Sequence, residues 1–98
     1  IDCSGLTQMV FRQLNYKLPR DSHEQEKVGK LVNNLNDAIP GDLAFFGEKK
    51  TSHVGIILKK NKIIHACGKV KIDVINSTGI INENKIYTHR LKSIKRVI

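Results

Sequence analysis

The chain of 98 residues has little of several features that mark large classes of proteins. Aromatic residues are few, with three Phe, two Tyr and no Trp, and no recognisable RNA- or DNA-binding motif occurs. No apolar run approaches the roughly 18–20 residues that cross a bilayer. The two Cys are too few for a disulfide scaffold, although a single bridge stays open on counting alone. These absences argue against a membrane-spanning helix, a disulfide-rich fold and nucleic-acid binding.

Acidic residues are also scarce, since 9 Asp and Glu stand against 17 Lys and Arg, and the formal net charge is +8. Such an excess favours polyanionic surroundings, such as nucleic acid, an anionic membrane surface or an acidic cell wall. The Lys residues are scattered along the chain, so most of them are expected to form a solvated basic surface. The apolar share of 40% is typical of a globular protein, and the length suits one compact domain.

The chain opens on Ile1, Asp2 and Cys3, without an initiator Met. We therefore expect a fragment or a processed piece, in which a missing targeting signal says little about location. The expected organisation is a single domain over residues 1–98 that lacks an N-terminal segment.

A helix is predicted at the start of the chain. Apolar residues at positions 6, 9, 10 and 14 have helical spacing and would form one buried stripe. Asp2 and Ser4 are both capping residue types, so the helix is predicted to begin near Cys3.

A second, shorter helix is predicted after the break at Pro19. Asp21 or Ser22 would cap it, and Val28 and Leu31 would lie on its inner side. Residues 33–37 are expected to form a loop.

The rest of the chain has the composition of short strands. After a tight turn at 39–42, β-rich runs occupy residues 43–46, 53–58, 63–66 and 70–74, with a hairpin turn at 59–62. An irregular excursion is expected over 80–85, a short helix over 87–92 and a closing strand over 94–98. Helices followed by a meander of strands indicate an α+β domain with an antiparallel sheet.

Cys3 has the position expected of a reactive cysteine. A helix N-terminus stabilises a thiolate, which is the nucleophilic form of the side chain. The alternative is a small buried residue at a helix start, which is a common use of cysteine.

Two of the four histidines lie in apolar strand runs, namely His53 and His65. One can accept the proton of a nucleophilic thiol, and the other can hold the first imidazole in the right tautomer and orientation. Each alone is also compatible with a hydrogen-bonded histidine on an edge strand. His23 and His89 are expected to be surface residues.

Five short motifs, taken in order, resemble those of the NlpC family of papain-like cell-wall cysteine peptidases. The motifs are Asp2-Cys3-Ser4-Gly5, Leu18-Pro19-Arg20 with Gln25, Pro40-Gly41-Asp42-Leu43 with Phe45-Phe46, His53-Val54-Gly55-Ile56, and Ile64-His65-Ala66. The resemblance covers nearly the whole chain. It implies a papain-like core in which Cys3 is the nucleophile, His53 the base and His65 the orienting residue, with no metal and no cofactor.

The resemblance also implies a substrate and a setting. The usual reaction is hydrolysis of the bond between γ-D-glutamate and a diamino acid in peptidoglycan stem peptides. It implies a secreted, periplasmic or cell-envelope location, and SH3-like wall-binding domains elsewhere in the protein. An upstream aromatic segment that lines the site in relatives would precede Ile1.

Three residues are implied to bind substrate: Asp2, Ser4 and Ser22. The backbone N–H of Cys3 would donate to the oxyanion. Arg20 is interpreted as a salt-bridge partner of the acidic helix start, with binding of a substrate carboxylate as the alternative. The turn at residues 40–42 is interpreted as structural.

Other interpretations stay open at this point. A zinc site would use Cys3, His53, His65 and Cys67. An acyltransferase or amidase could use the same thiol and histidines, and a module without activity could keep the fold. Cys67 is expected to point the same way as His65, either as a small residue filling space behind it or as the partner of Cys3 in an inhibitory disulfide.

Overall fold

The computed structural model describes residues 1–98 and has its helices at the start and its strands afterwards. In chain order the elements are α1 (Cys3–Gln13), α2 (Ser22–Gln25), β1 (Lys30–Val32), a 3-10 helix (Leu35–Asp37), β2 (Leu43–Phe46), β3 (His53–Lys59), β4 (Lys62–Cys67), β5 (Lys69–Ile75), β6 (Gly79–Ile81) and β7 (Tyr87–Arg96). This order agrees with the predicted α+β class. No helix is long and apolar enough to cross a membrane.

Helix α1 begins at Cys3, as predicted, because Asp2 caps it. One carboxylate oxygen of Asp2, Oδ1, accepts a hydrogen bond from the backbone N–H of Gly5 at 2.7 Å. The cap satisfies one of the free N–H groups at the helix start. Cys3 is therefore held in the first turn of α1.

The buried side of α1 differs from the predicted apolar stripe. Its buried residues are Ser4, Leu6, Thr7 and Phe11. Met9 is 50% exposed and Leu14 is 61% exposed, so the prediction is wrong at these two positions. The inner side is partly polar because the hydroxyl of Thr7 donates to Oε1 of the buried Gln25 at 2.7 Å.

Helix α2 is shorter than predicted and ends at Gln25. Val28 lies beyond it and is half-buried, and Leu31 lies in β1 with 61% exposure, so neither lines the inner side of a helix. Gly29 has a φ of +85°, and a Cβ there would lie 2.6 Å from the carbonyl oxygen of Arg96. This backbone conformation turns the chain away from α2 and into β1.

The seven strands form one antiparallel sheet in the order β1-β7-β2-β3-β4-β5-β6, and β6 also pairs with β7. Strands β2 to β7 therefore close into a ring. β1 pairs with β7 through residues 94–96 of that strand, and β6 pairs with it through residues 87–90. Helix α1 packs against β3 and β4.

Two apolar clusters hold the sheet. The first comprises Val32, Ala44, Phe46, Ile57, Ile63, Ile75, Ile80 and Ile94. The second comprises Phe11, Leu18, Leu43, Phe45, Val54 and Ile56 and includes a residue of α1. Successive residues of β2 alternate between the clusters, as a strand covered on both faces requires.

Residues 87–92 form a strand, so the predicted helix there is wrong. They belong to β7, which continues to Arg96 and takes in part of the closing strand predicted over 94–98. β7 pairs with β1, β2 and β6, and this pairing satisfies its backbone groups across the sheet. The local sequence did not reveal these partners.

Two segments predicted to be irregular contain short regular elements. The loop at 33–37 includes the 3-10 helix Leu35–Asp37, and the excursion at 80–85 begins inside β6. A turn then follows, in which Oδ1 of Asn82 accepts from the backbone N–H groups of Asn84 and Ile86.

The turn at residues 40–42 lies between the 3-10 helix and β2. Gly41 has a φ of +98°, and its N–H donates to the carbonyl of Ile57 at 2.8 Å. Asp42 is 2% exposed and accepts from the guanidinium of Arg96 through both carboxylate oxygens, each at 2.9 Å. It also accepts from the N–H of Ile39 at 3.0 Å. These contacts support the structural role predicted for this turn.

Candidate active site

The two strand histidines lie side by side in the sheet. Gly55 of β3 pairs with His65 of β4, and His53 is two residues before Gly55, so both imidazoles lie on one face. Nε2 of His53 lies 2.8 Å from Nδ1 of His65. The exposed fraction is 6% for His53 and 0% for His65. The structure thus brings together the two histidines that the sequence singled out.

Gly55 makes room for this pair. A Cβ at Gly55 would lie 3.0 Å from Cβ of His65 and 2.7 Å from Cδ1 of Ile63. Any larger residue would push these neighbours aside, so the glycine in the His53-Val54-Gly55 motif serves the placement of His65.

Cys3 lies at the N-terminus of α1, half-buried against the second apolar cluster. α1 packs on β3 and β4, the strands that carry the two histidines. The Cys3 thiol forms no hydrogen bond with either imidazole. Nδ1 of His53 also has no partner, and since no buried side-chain nitrogen lacks one, this atom is accessible to solvent. It is the nitrogen available to a thiol.

His89 belongs to the same cluster, although it was predicted to be a surface residue. It is half-buried on β7, and its ring stacks on that of His53 with centroids 3.9 Å apart and an interplanar angle of 20°. Its Nδ1 lies 2.8 Å from the hydroxyl of Thr88. The prediction is wrong because β7 reaches the site only through its pairing with β2 and β6.

Burial keeps the imidazole of His53 neutral. It lowers the pKa of His53 from 6.5 to about 3, with smaller contributions from His89 and His65. The pKa of His89 is lowered as well, mainly by burial and then by His65 and Lys71, while Asp73 opposes the shift. Both rings are therefore uncharged at neutral pH.

Asp73 on β5 is a further member that the sequence did not single out. Its Oδ2 lies 2.8 Å from Nε2 of His65, and its side chain is 9% exposed. Asp73 pairs with Ile63 in the β4–β5 ladder, two residues from His65, so the two side chains share a face. The sequence does contain a signal for this contact. Gly68 forms the tight turn between β4 and β5, and that turn sets the register that places Asp73 beside His65.

Two of the predicted substrate-binding residues, Asp2 and Ser4, lie beside Cys3. Arg20 donates to Oγ of Ser4 and to Oδ2 of Asp2, each at 2.9 Å. The hydrogen bond from Arg20, followed by that from the N–H of Gly5, lowers the pKa of Asp2. The salt-bridge interpretation of Arg20 is thus confirmed.

Ser22, the third predicted substrate-binding residue, lies on α2 and is 9% exposed. The buried Gln25 links this helix to α1, because its Nε2 donates to the carbonyl of Ser4 at 3.1 Å. The same nitrogen donates to the carbonyl of Pro19 at 2.8 Å. α2 is therefore fixed close to the start of α1.

The zinc set considered from the sequence does not assemble. Two groups of side chains could hold a metal ion, and neither includes a cysteine: His53, His65 and His89, and the exposed Asp21, His23 and Glu24. In the histidine group, Nε2 of His53 and Nδ1 of His65 are already hydrogen-bonded to each other. Cys67 is exposed, so it does not fill space behind His65, and both thiols are free.

Two curated proteins are similar in sequence to most of this chain. A murein DD-endopeptidase/murein LD-carboxypeptidase of Escherichia coli (strain K12), named MepS, is 44% identical over 68 residues, which cover 67% of this chain and 36% of that protein. A γ-D-glutamyl-L-lysine dipeptidyl-peptidase of Bacillus subtilis (strain 168) is 36% identical over 91 residues, which cover 87% of this chain and 30% of that protein. The chain thus spans about a third of the length of these relatives.

Solved structures share the fold. NlpC2 from Trichomonas vaginalis superposes with a TM-score of 0.81 at 29% identity, covering 98% of this chain and 36% of that one. RipD from Mycobacterium tuberculosis, described as a non-catalytic NlpC/p60 domain protein adapted to peptidoglycan binding, gives a TM-score of 0.78 at 28% identity, covering 100% of this chain and 67% of that one. The model of the family described as NlpC/P60 matches residues 1–90. With its fold, its paired histidines and these relatives, the chain belongs to the NlpC/P60 family.

Proposed function

We propose that this chain is the catalytic domain of a cysteine peptidase that hydrolyses peptidoglycan stem peptides. Cys3 is the nucleophile, His53 the base and His65 the residue that orients the base. The observation that carries the proposal is the buried hydrogen bond between His53 and His65, with the free Nδ1 of His53 on strands that pack against the helix of Cys3.

The reaction proceeds by two acyl transfers. Nδ1 of neutral His53 takes the thiol proton, and the thiolate of Cys3 attacks the scissile carbonyl. The N–H of Cys3 has no acceptor within the helix, because it is in the first turn, and it donates to the oxyanion. His53 returns the proton to the leaving amine, and a thioester remains on Cys3. A water molecule, deprotonated by His53, then hydrolyses the thioester and frees the thiol.

The proposed scissile bond joins γ-D-glutamate to a diamino acid. The name of the B. subtilis relative specifies such a bond, and that relative is similar over 87% of the chain. The E. coli relative is named for DD-endopeptidase and LD-carboxypeptidase activities, so cleavage of a D,D or an L,D bond is the competing specificity. The positive net charge of +8 favours an acidic peptide over a neutral one.

Asp2, Ser4 and Ser22 are proposed to bind the substrate. The carboxylate of Asp2 can pair with the free ammonium group of a stem peptide, since it is exposed and already charged beside Arg20. The location proposed for the protein is the cell envelope, where peptidoglycan is found. SH3-like wall-binding domains are proposed as partners of this domain in the whole protein.

The test is incubation of the purified protein with L-Ala-γ-D-Glu-diamino acid peptides, followed by mass spectrometry. We expect a product that ends in D-Glu and the free diamino acid fragment. Cys3→Ala should abolish turnover, while Cys67→Ala, the matched control at the exposed thiol, should leave it intact. His53→Ala should be nearly as damaging as Cys3→Ala, and His65→Ala should be milder.

Three results would contradict the proposal. Undiminished turnover by the Cys3→Ala variant would show that Cys3 is not the nucleophile. Cleavage restricted to α-linked or D,D-linked peptides would contradict the proposed specificity for the bond between γ-D-glutamate and a diamino acid. Binding of the peptides without any cleavage by the wild-type protein would place the chain with RipD-like non-catalytic domains.

A further inference from the structure

Asp73 is hydrogen-bonded to His65 on the side of that ring away from His53. Its Oδ2 lies 2.8 Å from Nε2 of His65, while Nδ1 of His65 lies 2.8 Å from Nε2 of His53. The side chain of His65 is 0% exposed and that of Asp73 is 9% exposed. The three side chains therefore form a buried row that ends at the free Nδ1 of His53.

The hydrogen bonds of this row determine where each proton lies. A carboxylate has acceptor atoms only, so Nε2 of His65 must carry the proton that it shares with Asp73. A neutral imidazole has one N–H, so Nδ1 of His65 is then an acceptor. It can accept only from Nε2–H of His53. The lone pair of His53 is consequently on Nδ1.

We propose that Asp73 is a positioning residue that sets the tautomers of both histidines and so keeps Nδ1 of His53 ready to accept the thiol proton. The proposal rests on the proposed peptidase function. Asp73 acts through His65 and does not touch the reacting atoms.

Loss of the Asp73 carboxylate would make His53 a weaker base toward the thiol in two ways. With no acceptor at Nε2, His65 can carry its proton on Nδ1 instead and donate to Nε2 of His53. The proton of His53 would then lie on Nδ1, and no lone pair would remain for the thiol. The negative charge that stabilises the imidazolium formed on His53 during the reaction would also disappear.

Lys71 is the other charged group at this carboxylate. Its Nζ lies 3.5 Å from the same Oδ2 of Asp73, with the Lys71 side chain 31% exposed. Lys71 pairs with His65 across the β4–β5 ladder, so it holds Asp73 from the solvent side. His65 and Lys71 thus contact the same oxygen of the carboxylate, which keeps Oδ2 directed toward His65.

The first test uses the wild-type protein and needs no substrate. ¹⁵N NMR of the imidazole rings at neutral pH should show Nε2 protonated and Nδ1 unprotonated in both His53 and His65. The opposite pattern in either ring would overturn the tautomer assignment, whatever the activity. If the protein cleaves no peptide, the proposed function fails while this measurement still decides the tautomers.

The second test uses steady-state kinetics on the stem peptide. Asp73→Asn and Asp73→Ala should each lower kcat by about tenfold or more, with KM little changed, because substrate binding does not involve Asp73. Glu83→Gln is the matched control, since it removes one negative charge from an exposed residue in the turn after β6. Circular dichroism confirms that each variant is folded.

A fall in kcat of less than about threefold in both Asp73 variants would overturn the proposal. An equal fall in the Glu83→Gln control would do the same, because it would show an effect of net charge alone. Should the Asp73 variants fail to fold, the NMR measurement on the wild type still decides the assignment.

Discussion

The imidazole of His53 is surrounded by the rings of Phe46, His65 and His89. The pKa of His53 is lowered to about 3 in the folded protein, primarily by burial, whereas an exposed histidine titrates near 6.5. Between these two values the unfolded chain binds a proton that the folded chain does not. Folding stability therefore falls as the pH decreases from about 6.5 toward 3, and this residue causes no change above that range.

We expect the His53→Gln variant to lose part of this acid sensitivity. One such group changes the free energy of unfolding by up to about 1.4 kcal/mol per pH unit. Urea unfolding at pH 7 and pH 4.5 measures the difference, and His23→Gln is the control because His23 is exposed. His89 should leave a residual slope, since its pKa is also lowered. Equal slopes in the wild type and in His53→Gln would contradict the assignment.

At this scale the sequence predicted the residues that local pattern can reveal. The helix start at Cys3 is predicted because Asp2 and Ser4 mark it, and the strand positions of His53 and His65 because each interrupts an apolar run; their catalytic roles stay predictions. His89 was missed because its contact with His53 depends on β7 reaching the site through the closed sheet. Long-range pairing of this kind leaves no mark in a short window of sequence.

The turn from residue 40 to residue 42 is the element that joins the start of the sheet to its last strand. Asp42 is 2% exposed and binds Arg96 of β7 through both oxygens. Asp42 is buried while the side chain of Arg96 is 36% exposed, so removal of Asp42 takes two charge-assisted hydrogen bonds from a guanidinium that water still reaches. The backbone N–H of Ile39 also loses its acceptor.

We expect Asp42→Ala to lower the free energy of unfolding by about 2 kcal/mol, because hydrogen bonds to a charged group and the acceptor of the Ile39 N–H are lost. Asp37→Ala is the matched control, because Asp37 is an exposed carboxylate nearby and its hydrogen bond to Arg96 comes from its backbone carbonyl, which the substitution keeps. That control should change stability by about 0.5 kcal/mol or less. Urea unfolding measures both, and equal losses in the two variants would refute the role given to Asp42.

Strands were easier to predict than the segments between them. β2, β3 and β4 were found because apolar residues dominate them and turns bound them. In β7 the residues alternate between half-buried and exposed, and six such residues do not separate a strand from a helix. The second helix is predicted to be longer than it is. The turn that leads out of it depends on the positive φ of Gly29, where the chain passes close to Arg96.

The chain as a whole carries a net charge of +8, which would act on the proposed acidic substrate before any contact forms. An acidic stem peptide should be attracted over a distance set by the Debye length, about 8 Å at physiological ionic strength and about 3 Å at 1 M. Added salt shortens this range and slows the encounter.

We expect kcat/KM for the acidic peptide to fall by about threefold or more between 0.05 M and 0.5 M NaCl, with kcat unchanged. The control substrate is the same peptide with its free carboxylates amidated, for which the decrease should be small. Steady-state kinetics at each salt concentration provides the comparison. The same salt dependence for both peptides would rule out attraction through net charge.

Closure of the sheet by β7 has a consequence for the order of folding. Cys3 lies in the first helix, while β7, which supplies His89 and joins β1, β2 and β6, is the last strand of this sheet in chain order. Contacts between distant parts of a chain form late and slowly, because a long loop must close before they form. A nascent chain that has not reached residue 87 thus lacks the strand that closes the sheet beside His53. The complete cluster of His53, His65 and His89 therefore forms only after β7 has joined the sheet.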